Sequence, residues 1–141
     1  MTQVLVADDS ESIRMMVSAM LSPVGYQVQE APDGVEALNA LRAKEEPMVV
    51  LLDYHMPNMD GFEVLQAAVA DGNMLTHNEY IIITAAENTF PPDFIELLRH
   101  LSIRVLPKPF HKDTLTDAVA QAAERLTAPV EVLPTPTDSE N

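Results

Sequence analysis

The chain has 141 residues, enough for one domain of ordinary size with a real core, and 47% of them are hydrophobic. Its 22 acidic residues against 8 basic ones give a net charge of −14, which repels a phosphate backbone and argues against direct nucleic-acid binding. There is no Cys, so there is no disulfide framework or thiolate metal site, and no apolar run approaches the roughly 20 residues of a membrane span.

No basic segment precedes an apolar stretch at the N-terminus, so no signal peptide is expected, and the cytoplasm is the expected compartment. Thr2 to Ala7 is a short apolar strand that ends on Asp8 and Asp9. Ser10 is a plausible N-cap, and Ile13, Met16, Val17, Met20 and Leu21 form one helical stripe, closed by Pro23 and Gly25. Tyr26 to Glu30 reads as a strand. Asp33 with Glu36 opens a second helix, whose Val35, Leu38 and Leu41 are expected to face the core.

Met48 to Leu52 is an unbroken apolar run, β-branched at Val49 and Val50, the composition of a strand covered on both faces. It stops at Asp53. Pro57 cannot continue a ladder, and Asp60-Gly61 is turn chemistry. A helix follows from about Phe62 to Ala70, then a polar loop from Asp71 to Glu79, then a strand over Tyr80 to Thr84. Pro91 and Pro92 suit a first helical turn, with Phe94, Leu97, Leu98 and Leu101 as its stripe. Ile103 to Leu106 is the last strand, and a helix from about Lys112 to Leu126 turns Leu115, Val119, Ala122 and Leu126 inward.

Five strands alternating with five helices imply an α/β fold: a doubly wound parallel sheet in three α/β/α layers with right-handed crossovers. The strand order is not written in the sequence. The flavodoxin-like order 2-1-3-4-5 is adopted because it makes strands 1 and 3 neighbours and brings Asp8, Asp9 and Asp53 to the switch point, where such sheets place ligands. Residues 1–126 are expected to be the domain. Residues 127–141 hold three of the 11 prolines and no base, and are expected to be a disordered tail or the stub of a linker.

In a parallel sheet all strand ends lie along one edge. Three carboxylates, the Thr84 hydroxyl and the Lys108 amine, which is followed by Pro109, would then share one cleft. Clustered carboxylates prefer a proton or a cation, and hard oxygen ligands at an open edge suit Mg²⁺. A carboxylate nucleophile beside Mg²⁺, a hydroxyl and a Lys is equipment for phosphoryl transfer, with Asp53 attacking phosphorus in line. A cis Lys108-Pro109 bond would fix the direction of the amine.

These residues resemble a response-regulator receiver domain, the phospho-accepting half of two-component signalling. The resemblance rests on the Asp8-Asp9 pair, Asp53 with Met56-Pro57-Asn58-Met59-Asp60-Gly61, Thr84-Ala85 and Lys108-Pro109-Phe110, and covers roughly residues 2–126. It implies that Asp53 is the phospho-acceptor. It implies that Asp9, Asp53 and the His55 backbone carbonyl bind Mg²⁺ directly, with Asp8 acting through water, and that Thr84 and Lys108 sense the phosphoryl group. A histidine kinase or phosphotransfer protein would be the donor, and the output a protein–protein contact. Such a domain is no enzyme toward other substrates, although similar domains hydrolyse their own acyl phosphate. His55 and Ala86 flank the route of the attacking water and are expected to tune that hydrolysis.

One departure stands out. The family usually carries Tyr or Phe three residues before the Lys, where this chain has Val105. An aromatic flip cannot occur there, so the output face moves by another route or responds weakly. No output domain is seen after residue 126, which suggests a stand-alone regulator. A phosphorylation-independent binding module and the receiver part of a longer regulator are the alternatives. A flavodoxin-type flavin carrier is disfavoured because Asp8-Asp9-Ser10-Glu11 would repel the flavin phosphate. An Asp-x-Asp phosphatase is disfavoured because position 55 is His.

Overall fold

The computed structural model describes residues 2–85 and 87–127. Five strands form one parallel sheet: β1 (Gln3–Ala7), β2 (Gln27–Ala31), β3 (Met48–Asp53), β4 (Glu79–Thr84) and β5 (Arg104–Pro107). Their order is β2-β1-β3-β4-β5, as expected. The helices are α1 (Glu11–Leu21), α2 (Gly34–Ala43), α3 (Gly61–Asp71), α4 (Asn73–His77), α5 (Pro92–Leu101) and α6 (Lys112–Thr127). Short 3-10 turns cover Ser22–Val24 and Glu87–Thr89. Among the described residues no helix is long and apolar enough to cross a membrane.

Alternating side chains send each strand's apolar residues to both faces. Val4, Val6, Val49, Leu51, Ile81 and Ile83 pack with Val17 and Leu21 of α1 and Leu115, Val119 and Ala122 of α6. Leu5, Ala7, Val50, Leu52 and Ile82 pack on the other face with Leu38 and Leu41 of α2, Val64 and Leu65 of α3 and Phe94 and Leu98 of α5. All six residues of β3 are buried, because neighbours flank it and helices cover both its faces. The edge strands β2 and β5 are only partly buried.

Two expectations are corrected. Among the described residues there are six α-helices rather than five, because part of the expected polar loop from Asp71 to Glu79 folds as α4. The Asp71 side chain accepts from the Met74 N–H at 2.9 Å, and Met74 is buried. Asn78 then anchors the entry to β4, accepting from the Met48 N–H at 2.9 Å and donating to the Met74 carbonyl at 3.0 Å. Val35 does not face the core: it is 39% exposed, and Gly34 and Ala37 are buried in its place. The tail beyond residue 127 and Ala86 lie outside the described residues.

Candidate functional site

Each side chain of the cleft is delivered by the end of a strand. In the parallel register Ala7 pairs with Leu52 and Asp53 with Ile83, so the residues that follow β1 stand beside the end of β3. Thr84 ends β4 and is buried, and its carbonyl accepts from the Lys108 N–H at 2.7 Å. The Lys108-Pro109 bond is cis. Asp8 is fully buried, Asp53 is 5% exposed and Asp9 is exposed. One ligand atom from each of these three carboxylates lies within 4.8 Å of the others. Lys108 Nζ is 2.7 Å from Asp8 Oδ2 and 3.5 Å from Asp53 Oδ2.

The charge balance is uneven. Burial first, and the negative charge of Asp8 second, push the Asp53 carboxyl up to about 6, against the opposing pull of Lys108. Above that pH the cleft holds more negative charge than Lys108 neutralises. A cluster of this kind has an affinity for a proton or a compact cation.

The loop after Asp53 is shaped by close backbone packing. Asp60 caps α3 in a reciprocal capping box with Glu63. Gly61 donates its N–H to the Tyr54 carbonyl at 2.9 Å, and a Cβ at Gly61 would lie 2.6 Å from the Asp53 carbonyl oxygen. A Cβ at Gly34, the first residue of α2, would lie 2.1 Å from the Met59 carbonyl oxygen. Asn58 takes a left-handed backbone, φ 71°, and donates to Asp33 Oδ2 at 2.7 Å.

His55 is exposed, and its Nε2 lies 3.0 Å from Thr89 Oγ1, joining the loop after β3 to the turn after β4. Its ring is not one of the clustered ligand groups. Tyr54, next to Asp53, stacks on Phe94 with ring centroids 5.0 Å apart and also meets Phe90 at 5.0 Å. Val105 packs half-buried against that same core layer.

Sequence reasoning brought together Asp8, Asp9, Asp53, Thr84 and Lys108, and the structure places all five at one edge. It missed Arg14, whose Nη1 donates to the Asp8 carbonyl at 2.6 Å and whose Nε pairs with Glu30 at 3.0 Å. A signal existed: Arg14 is the only Lys or Arg among residues 1–41. It also missed the Asn58–Asp33 and His55–Thr89 contacts, which join segments distant in sequence.

A family model for the response regulator receiver domain matches residues 4–120. Sporulation initiation phosphotransferase F of Bacillus subtilis (strain 168) is 33% identical over 118 residues, covering 83% of this chain and 90% of that protein. The probable transcriptional regulator ycf27 of Galdieria sulphuraria is 48% identical over 64 residues, 45% of this chain, a match that spans only 25% of that protein. Among solved structures, the Vibrio cholerae chemotaxis protein CheY4 aligns with a TM-score of 0.72 at 31% identity, covering 86% of this chain and 98% of that one.

Proposed function

Because the chain belongs to the response regulator receiver domain family, a family of phospho-acceptor signalling domains, we propose that Asp53 is its phospho-acceptor in a two-component phosphorelay. The carrying observation is a buried carboxylate at the end of the central strand with an ammonium 3.5 Å away. With its carboxyl at about 6, Asp53 is ionised at neutral pH and is a competent nucleophile. Its oxygen would attack the phosphorus of a phosphohistidine on a histidine kinase or phosphotransfer protein. The O–P bond forms, the P–N bond breaks, and the imidazole leaves as the neutral base after taking a proton. Hydrolysis of the acyl phosphate then returns the carboxylate and inorganic phosphate.

Lys108 would turn toward the new phosphoryl oxygens, and Thr84 would donate its hydroxyl to one of them. The donor set fits Mg²⁺: hard carboxylate oxygens, partly buried and short of positive charge. Asp9, Asp53 and the His55 carbonyl would hold the ion. Asp8 stands behind them, its oxygens already bonded to the Ser10 N–H and Lys108. When bound, Mg²⁺ supplies positive charge against the phosphoryl oxygens. The output would be a change in the protein-binding face formed by α5, β5 and α6. Val105 on that face leaves no ring to flip, so the face would move by another route or respond weakly.

A second reading, a receiver within a longer regulator, is favoured by the match that spans a quarter of ycf27. In either case the domain would act through protein partners, since the chain's net charge of −14 opposes nucleic acid. Incubation with acetyl phosphate and Mg²⁺, followed by intact mass measurement, tests the chemistry. One added phosphoryl group is expected, absent in Asp53→Asn and without the metal. No adduct on the wild type would sink the proposal in favour of a phosphorylation-independent binding module.

A further inference from the structure

We propose that Arg14 is a positioning residue for the cation-holding carboxylates, acting through the Asp8–Asp9 peptide; this rests on the cleft being a Mg²⁺-dependent phospho-acceptor site. The carbonyl that accepts from Arg14 Nη1 at 2.6 Å is that of Asp8. It belongs to the planar unit that joins Asp8 to Asp9. Fixing that plane fixes the Asp9 N and Cα, the atoms from which its side chain is carried.

The rest of Asp8 is already held. Its N–H donates to the Ala31 carbonyl at 3.0 Å. Its Oδ1 accepts from the Ser10 N–H at 2.9 Å and its Oδ2 from Lys108 at 2.7 Å. Arg14 closes the remaining side. Asp9 is different, because it is exposed and its carboxylate has no hydrogen bond among the described residues. Its position therefore depends on its backbone, and Arg14 is the side chain that braces that backbone.

Arg14 is itself fixed. Its side chain is 15% exposed, and its Nε pairs with Glu30 of β2 at 3.0 Å. The guanidinium thus ties α1 to the edge strand while reaching the cleft from behind. A Lys at this position would keep the charge but could not present two donors in a rigid fork to the Asp8 carbonyl and Glu30 together. The guanidinium also stays charged at every working pH, so it adds a constant positive potential beside the carboxylates.

The test is calorimetric titration of the full chain with MgCl₂, paired with the rate of acetyl-phosphate labelling as Mg²⁺ is varied. Arg14→Ala is expected to weaken Mg²⁺ affinity about tenfold, the usual cost of losing a group that orients a metal ligand. Arg14→Lys should fall between it and the wild type. Glu30→Gln, which still accepts from Nε, should stay near the wild type. The Mg²⁺ concentration for half-maximal labelling should move by the same factor while the maximal rate is retained. A merely structural residue would lower Tm and leave that midpoint in place. Mg²⁺ affinity within twofold of the wild type in Arg14→Ala overturns the inference. If the Ala variant does not fold, wild-type affinity in Arg14→Lys overturns it instead. Absence of Mg²⁺ binding by the wild type would remove the phospho-acceptor reading on which the inference rests.

Discussion

Replacing Asp53 by Asn should make the metal-free domain more stable at neutral pH. The carboxyl sits at about 6 when folded, against 3.8 ordinarily, so the folded state binds its proton more readily than the unfolded chain does. Stability therefore falls as the pH rises from about 4 through about 6 and stays at the lower level above that. At roughly 1.4 kcal/mol per pH unit the full penalty is on the order of 3 kcal/mol. Screening through the open side of the cleft, where Asp9 is exposed, reduces this to about 1–2 kcal/mol. Asn removes the charge at nearly constant volume. Its melting temperature should exceed that of the wild type by about 3–10 °C at pH 7.5. At pH 4 most of the gap should vanish, because the wild-type carboxyl is then protonated as well. Thermal melts of both proteins at the two pH values, in buffer with chelator, measure the difference directly. A gain of equal size at both pH values, or none at pH 7.5, would refute the charge argument. Adding Mg²⁺ should then stabilise the wild type more than the variant, since a ligand stabilises the form that binds it.

Lys108→Met leaves Asp8, which is fully buried, without its ion partner and should cost about 3 kcal/mol at neutral pH by denaturant unfolding. Asn78→Ala removes the acceptor for the Met48 N–H and should cost about 2 kcal/mol, with faster hydrogen exchange at Met48. The Met74 carbonyl, by contrast, keeps the Tyr80 hydroxyl at 2.8 Å, so exchange near α4 should change less. Ser10→Ala deletes the cap on the Ile13 N–H and should cost about 1 kcal/mol, read as a lower denaturation midpoint with an unchanged slope.

The sheet edge was legible because each strand announces itself by an apolar run that stops at a polar residue: Ala7 before Asp8, Leu52 before Asp53, Ile83 before Thr84. The parallel arrangement then forces those polar residues together. Strand order was not legible in the residues: 2-1-3-4-5 was borrowed from flavodoxin-like sheets, and its appeal was that it seats Asp8 and Asp53 side by side. Helix α4 escaped because five residues cannot display a period, and Met74 is its only buried residue. Val35 misled because hydrophobicity marks it as core, whereas α2 presses so closely on Met59 that the buried position falls to Gly34. Arg14 was visible as an isolated cation in an acidic segment, yet its target is a backbone carbonyl, which no side-chain pattern reveals.

The loop from Tyr54 to Asp60 is gripped at both ends by residues that have no side chain. At most positions a series of substitutions adjusts a site by degrees, a methyl or a methylene at a time. Gly34 and Gly61 offer no such series. Every other amino acid begins with a Cβ, and that first atom already falls 2.1 Å from the Met59 carbonyl oxygen or 2.6 Å from that of Asp53. The first step is thus the largest, and later atoms matter less. A collection of random variants should therefore contain intermediate phenotypes at His55 and all-or-none ones at these two glycines. The cleft tolerates tuning from its exposed rim while its backbone frame does not.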